Sequence, residues 1–407
     1  MTASAHIVTV GAMPSPGADG AAVAAALGAA GVNVVSRVFV EDDESALERA
    51  LGSDEALTVV LTGGGGSAGD IVRRVLARVT GARLVLNDRL LTTLQERYRR
   101  LDRPLPRRAE RLALLPQGAT VWVTADAEAG WAIESGQRAF AVLARDATLQ
   151  PTIAQHLTSF ARDWAGGRGT SVVRTLRTAG LTAADVEERL VDWLGRDGEV
   201  TVSTIPADGE VWVRLRARAS TPAEATRSLA KAEIGIGALL GEDCYGRDGE
   251  TLEMVVGRML LERQLTLAVA ESCTGGLLGH RLTSVPGSSA YFERGVLAYS
   301  NRSKEELLGV PESILRAHGT VSGSCAEAMA RGVATLAGAP CALAVTGIAG
   351  PDGGTPTKPV GTVFVGLAVR GETFARRFYF SGDRAAVKWQ STQAALDMLR
   401  RSLRGQA

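Results

Sequence analysis

Lysine is almost missing from this chain: four residues, Lys231, Lys304, Lys358 and Lys388, stand against forty-one arginines. Where arginine is the default cation, a lysine invites the question of what arginine cannot do, and the obvious answer is an amine that can lose its proton. Three of the four lie beyond residue 300. Cysteine is as sparse. Cys244, Cys273, Cys325 and Cys341 show no C-x-x-C spacing, and His6, His156, His280 and His318 form no H-x-x-x-H, so no zinc signature or other metal site is read from the sequence. Unpaired cysteines of this kind read as small buried hydrophobes of a reducing compartment, Cys273 excepted. A net charge of +1 leaves no polyelectrolyte footprint, and direct nucleic-acid binding is not expected. The one basic run, Arg97 to Arg111, is broken by Pro104 and Pro106 and reads as a solvated helix face and loop. No apolar run approaches the ~18 residues of a membrane span. Residues 1–12 lack the basic start and apolar core of a signal peptide. A cytoplasmic location without a membrane partner is expected.

What is present is a long, ordinary globular composition, 407 residues with 45% hydrophobic and 22% charged, which implies two or three domains. Residues 1–165 alternate strand and helix: strands His6–Val10, Val32–Val38 and Leu57–Leu61, helices across Ala21–Ala30, Glu44–Leu51 and Asp70–Val79. That order predicts an α/β domain with a mostly parallel sheet. Gly63 to Gly66, after the third strand, is a weak phosphate-loop signal without the lysine of a P-loop. Gly166-Gly-Arg-Gly169 reads as a linker. Residues 166–247 then follow α-β-β-α (Ala183–Leu194, Glu199–Ile205, Glu210–Arg218, Pro222–Leu240), with Asp208-Gly209 as a hairpin turn. This small α+β module reads as a spacer or an assembly surface.

The third domain, residues 248–407, is α/β again. Leu252, Val255, Val256, Met259 and Leu260 make one helix stripe. The apolar run Leu265–Ala270 then stops at Glu271-Ser-Cys-Thr-Gly-Gly276 before the helical Leu277, Leu278 and Leu282, a buried strand turning sharply into a helix. A strand follows through Gly295–Ser300. Ser324-x-x-Glu327 reads as a capping box for a helix Cys325–Ala337. Strand Cys341–Thr346 enters the glycine-rich loop Gly347–Gly354, strands Val360–Val369 and Thr373–Phe380 complete the sheet, and a helix Arg384–Leu403 ends the chain.

Strand carboxyl edges of an open α/β sheet are where ligands bind, and three of them here deliver Ser272, Tyr299 with Lys304, and Thr346. A serine nucleophile needs a base; with no histidine nearby in sequence, the neutral amine of a desolvated lysine is the best candidate, and Tyr299 could relay or orient the proton. Successive side chains of an extended segment face opposite ways, so only one of Ser272 and Cys273 can face a ligand. Cys273 suits the core. Each residue also has a plain alternative: Thr274 as an N-cap, Lys304 as a solvated helix residue, Tyr299 as core, Thr346 as a strand end.

Ala270-Glu-Ser-Cys-Thr-Gly-Gly276, Val285-Pro-Gly-Ser-Ser289, Tyr299-Ser-Asn-x-x-Lys304, Leu308-Gly-Val310, Val345-Thr-Gly-Ile-Ala-Gly-Pro-Asp-Gly-Gly354, Lys358-Pro-Val-Gly361 and Ser381-Gly-Asp-Arg384 resemble, in order, the CinA C-terminal domain. That resemblance implies a nicotinamide mononucleotide (NMN) amidohydrolase, which releases ammonia and nicotinate mononucleotide without a cofactor. Carried over by motif, Ser272 is the nucleophile and Lys304 and Tyr299 its proton-transfer partners. Thr274, Gly275, Gly276, Thr346, Gly347, Gly350, Gly353, Lys358 and Arg384 are the contacts of a small-molecule pyridine nucleotide, and a homodimer is expected.

The whole chain is similar to full-length CinA, whose first domain resembles molybdopterin-binding proteins and in some members hydrolyses ADP-ribose with a metal. There this sequence departs from the pattern: Thr62-Gly-Gly-Gly-Gly-Ser-Ala-Gly-Asp-Ile71 replaces T-G-G-x-G-P-T-x-D-D, Gly11-Ala-Met13 replaces G-T-E, and Ala144-Arg-Asp-Ala147 replaces P-G-P-P. Lost carboxylates impair metal binding, so a degenerate, structural first domain is expected. The other function class in play is a non-catalytic competence-related accessory or assembly protein.

Overall fold

In the computed structural model the residues described are 3–11, 18–52, 55–62, 67–100, 102–124, 127–145, 148–166, 170–196, 198–207 and 209–405. The expectations placed on Ala12-Met13, Gly63–Gly66, Asp146-Ala147, Gly167–Gly169 and Asp208 fall outside them. Contacts divide the chain into two units, Met1–Val173 with Arg216–Ala230, and Arg174–Leu215 with Lys231–Ala407.

The first unit carries a six-stranded sheet in the order Asn33–Val40, Ser4–Val10, Leu57–Thr62, Arg138–Ala144, Ala127–Ser135, Thr120–Thr124. Its first four strands are parallel, as the alternating pattern predicts, and the last two are added antiparallel. Asp70, the acidic residue left after the glycine loop, has one oxygen hydrogen-bonded to Arg73 at 2.7 Å and the other 3.2 Å from Arg111. A carboxylate held by two guanidinium groups is a poor ligand for a divalent cation.

The middle segment is richer in strand than its sequence suggests. Thr170–Ala179 and Cys244–Arg247 join the two expected strands, giving the order Val200–Ala207, Glu210–Ala219, Thr170–Ala179, Cys244–Arg247. The α-β-β-α reading missed both. Cys244–Arg247 is four residues of mixed polarity, too short to show a period. Ala183–Arg189 also ends a turn before the expected Leu194.

In the third domain, helix α1 (Leu252–Glu262) leads into strand β1 (Leu267–Glu271), helix α2 (Leu277–Thr283), strand β2 (Phe292–Leu297), helices α3 (Asn301–Leu308), α4 (Glu312–His318) and α5 (Gly323–Ala337), strands β3 (Cys341–Gly347), β4 (Thr362–Val369) and β5 (Glu372–Tyr379), and helix α6 (Arg384–Arg404). The sheet order is β2-β1-β3-β4-β5. β1 runs parallel to β2 and β3, and β3, β4 and β5 alternate in direction.

The strand residues sort by size. Leu267, Val269, Leu343 and Val345 pack with α1, α2 and α6, whereas Ala268, Ala270, Ala342 and Ala344 pack with α3 and α5. Large side chains hold one helical layer at a distance; alanines let the other approach. The approach is close enough that a Cβ on Gly366 of β4 would lie 2.2 Å from the Ala326 carbonyl oxygen of α5, and one on Gly332 of α5 would lie 1.9 Å from the Leu308 carbonyl oxygen at the end of α3. Only glycine fits either place. The cap of α5 is Ser322, whose Oγ accepts from the Cys325 amide, and not the expected Ser324. The core cluster on the large-residue face also takes in Ala179 and Tyr245 from the middle segment.

Candidate active site

Alternation along β1 continues past its end. Glu271 turns towards α2, Ser272 towards α3, and Cys273 back into the apolar cluster beneath α1 and α6. Ser272, Cys273 and Thr274 are all buried. The Cys273 thiol is pushed up to about 12 by burial, which removes it as a thiolate at neutral pH.

Lys304 is in the first turn of α3 and only 1% exposed. Its Nζ lies 3.0 Å from Ser272 Oγ, 2.8 Å from the Ala298 carbonyl oxygen and 3.0 Å from the Tyr299 carbonyl oxygen. Burial lowers its pKa below the usual lysine value, since an ammonium loses its hydration there. A neutral amine has two N–H groups and one lone pair. The three oxygens around Nζ match that set: two carbonyls that can only accept, and one hydroxyl that can donate. Three N–H groups of an ammonium would fit the same oxygens, and it is the burial-lowered pKa that favours the neutral amine.

Tyr299 contributes through its backbone. Its carbonyl holds Lys304, but its ring is 60% exposed and its hydroxyl accepts a hydrogen bond of 3.1 Å from Arg384. The expected phenol relay between Lys304 and Ser272 is not formed. Arg384, at the start of α6, also donates to the Gly350 carbonyl at 2.8 Å. It thus joins the segment after β2 to the loop after β3. Asp383, next to it, caps α6 by accepting from the Ala386 amide.

The turn after Ser272 differs from expectation in one respect. Gly275 and Gly276 both have positive φ, and Gly276, not Thr274, occupies the N-cap of α2. The α2 amides do not wait for a ligand. Glu271, 2% exposed, accepts from the amides of Gly276, Leu278 and Gly279 at 3.0, 3.0 and 2.8 Å. Among the described residues the Thr274 amide has no acceptor and the Cys273 amide none beyond its own thiol, and the Thr274 hydroxyl, wholly enclosed, has no partner. Those are the donors that the turn leaves uncommitted.

The remaining sequence-derived contacts divide. Thr346 is buried with its hydroxyl donating to the Thr320 carbonyl, and Lys358 Nζ donates to the His318 carbonyl, so both tie the glycine loop to the α4 end. Gly347 and Gly350 are closed in by Val363 and Val360, and Gly353 faces Ile348. One residue at the turn was not singled out from the sequence, and another only as a rare lysine. Glu271 organises the turn, and Lys388 Nζ, from the second turn of α6, lies 3.5 Å from where a Cβ on Gly275 would stand. Signals existed for both: an acid immediately before the serine, and a rare lysine four residues after Arg384, hence on the same helix face.

Three family models match the chain in order: the molybdopterin binding domain over residues 7–157, the damage-inducible protein CinA KH domain over 173–246, and the CinA C-terminal domain over 249–403. The class is thus a three-domain protein with a molybdopterin-binding-like α/β domain followed by KH and CinA domains. A Moorella thermoacetica protein named as competence-damage inducible is 40% identical over 386 residues, 93% of this chain and 93% of its own. A CinA-like protein of Geobacter sulfurreducens is 38% identical over 390 residues, 95% and 94%. A solved CinA superfamily structure from Klebsiella pneumoniae 700603 is 38% identical, covering 38% of this chain and 96% of its own with a TM-score of 0.37. The chain belongs to the CinA family.

Proposed function

We propose that the third domain hydrolyses the carboxamide of a nicotinamide nucleotide, NMN, to nicotinate mononucleotide and ammonia. The observation that carries this reading is a buried lysine amine 3.0 Å from a buried serine hydroxyl, with the lysine pKa lowered by burial. An amide is the bond such a pair suits, because the leaving nitrogen needs a proton and the lysine has just acquired one.

Ser272 Oγ attacks the carboxamide carbon as its proton passes to Lys304 Nζ. The C=O electron pair moves to oxygen, and the amides of Cys273 and Thr274 receive that oxyanion. As the C–N bond breaks, Lys304 returns the proton to nitrogen and ammonia leaves. Water then adds to the Ser272 ester, again giving a proton to Lys304, which passes it back to Oγ when the C–O bond breaks. Atoms and protons balance without a cofactor. Arg384 and Tyr299 stand at the rim, where they position substrate and hold the Gly350 loop.

Purified full-length protein incubated with NMN should release ammonia and nicotinate mononucleotide in equal amounts, and Ser272→Ala should release neither. Absence of ammonia from NMN and from a panel of nicotinamide-bearing metabolites would end this reading.

A further inference from the structure

Among the described residues, Lys388 is the cation at this site without a partner. Arg384, one helical turn earlier, spends both arms on Gly350 and Tyr299. Lys388 has no hydrogen-bonded or ion-paired partner among the described residues, and its Nζ lies 3.5 Å from the position of a Cβ on Gly275, whose φ is +62°. The nearby acids are engaged elsewhere: Glu271 on three amides, Asp383 on the α6 cap. Two cations four residues apart on one helix face repel, so stability does not explain the pair.

Its neighbour in the turn has the same character. Thr274 is wholly enclosed with an unpartnered hydroxyl, and a buried polar group without a partner costs stability unless something else supplies one. An ammonium with no counter-ion among the described residues, packed against a glycine backbone in the turn that carries Ser272, fits an anionic group on the substrate.

Resting on the amide-hydrolase reading above, we propose that Lys388 selects substrates that carry a phosphate, by pairing its ammonium with that phosphate over the Gly275 backbone. The nucleoside amide, which has the same pyridinium ring but no phosphate, lacks that contact and is discriminated against. A charge-assisted contact to phosphate is worth on the order of 10- to 100-fold in kcat/KM.

Two measurements on the full-length protein test this. The first is the ratio of kcat/KM for NMN to that for nicotinamide riboside. Lys388→Met should lower the ratio on the order of 10- to 100-fold, and Lys388→Arg, which keeps the charge, should restore most of it. The second exploits the scarcity of lysine: selective 13Cε labelling gives four side-chain signals, one each from Lys231, Lys304, Lys358 and Lys388. In Ser272→Ala protein the Lys388 signal should shift saturably with inorganic phosphate and with NMN, and stay put with the riboside. Equal loss on both amides in Lys388→Met, or a Lys388 signal indifferent to phosphate and NMN, would overturn the proposal. If NMN is hydrolysed while that signal never moves, the phosphate role alone falls. If phosphate moves it but no amide is hydrolysed, the hydrolase reading falls and the anion site stands.

Discussion

Lys304 Nζ and Ser272 Oγ stand 3.0 Å apart although thirty-two residues separate them in the chain, one at the end of β1 and the other in the first turn of α3. β1 and β2 are parallel neighbours, so their carboxyl ends, and whatever follows each, arrive at one edge. Ser272→Ala and Lys304→Ala should each reduce ammonia release from NMN by roughly 10⁴-fold or more. Lys304→Arg should not rescue, since arginine stays protonated. Cys273→Ala should remain within a few-fold of wild type. A dead Cys273→Ala beside an active Ser272→Ala would assign the chemistry to the thiol.

The depressed lysine pKa fixes the sign of two pH effects. Activity needs the neutral amine, so kcat/KM should fall as pH drops through the Lys304 pKa, with a midpoint below the ordinary lysine value of about 10.4. Stability moves the same way. Between the folded and unfolded pKa values the unfolded chain binds more protons at this site, so wild type gains stability as pH rises across that window, and Lys304→Met does not. The stability advantage of Lys304→Met, followed by urea denaturation, should therefore shrink on raising the pH. A constant difference would show that the amine is not desolvated.

Tyr299→Phe removes a hydroxyl that touches Arg384 and not Lys304. It should leave kcat close to wild type and raise KM for NMN by about 2- to 10-fold, the worth of one hydrogen bond. Arg384→Ala, which also releases the Gly350 carbonyl, should raise KM further. A large fall in kcat for Tyr299→Phe would restore the phenol to proton transfer.

Glu271→Ala should be one of the costliest changes in the domain. It strands three amides at the start of α2, for a loss of about 2–4 kcal/mol in chemical denaturation. A loss under about 1 kcal/mol would mean that water replaces the carboxyl without penalty.

The layered α/β order of the first and third domains was legible because apolar runs and glycine turns carry it. The opposed facing of Ser272 and Cys273 followed from strand periodicity, and Lys304 stood out because lysine is rare. What escaped depends on partners distant in sequence. Nothing local tells that the Tyr299 ring turns outward to Arg384, eighty-five residues on, while its carbonyl turns inward to Lys304. Nor does composition reveal that Glu271 claims the α2 amides, which the glycines alone would have left for a ligand. The short strand Cys244–Arg247 has no pattern of its own; its pairing with Thr170–Ala179 creates it.

The contact between Gly332 and Leu308 gives the proposed reactive centre a mechanical datum. Lys304 rides on a helix of two turns, and the far end of that helix abuts α5 with no room for a methyl group. Gly332→Ala would act as a shim, displacing the helix and with it an amine whose usefulness depends on a few tenths of an ångström. Its signature in kinetics would be that of a damaged base: reduced kcat with the protein still folded. A random screen for inactive variants would thus return a residue without a side chain alongside Ser272 and Lys304, and the reason would be alignment, not chemistry.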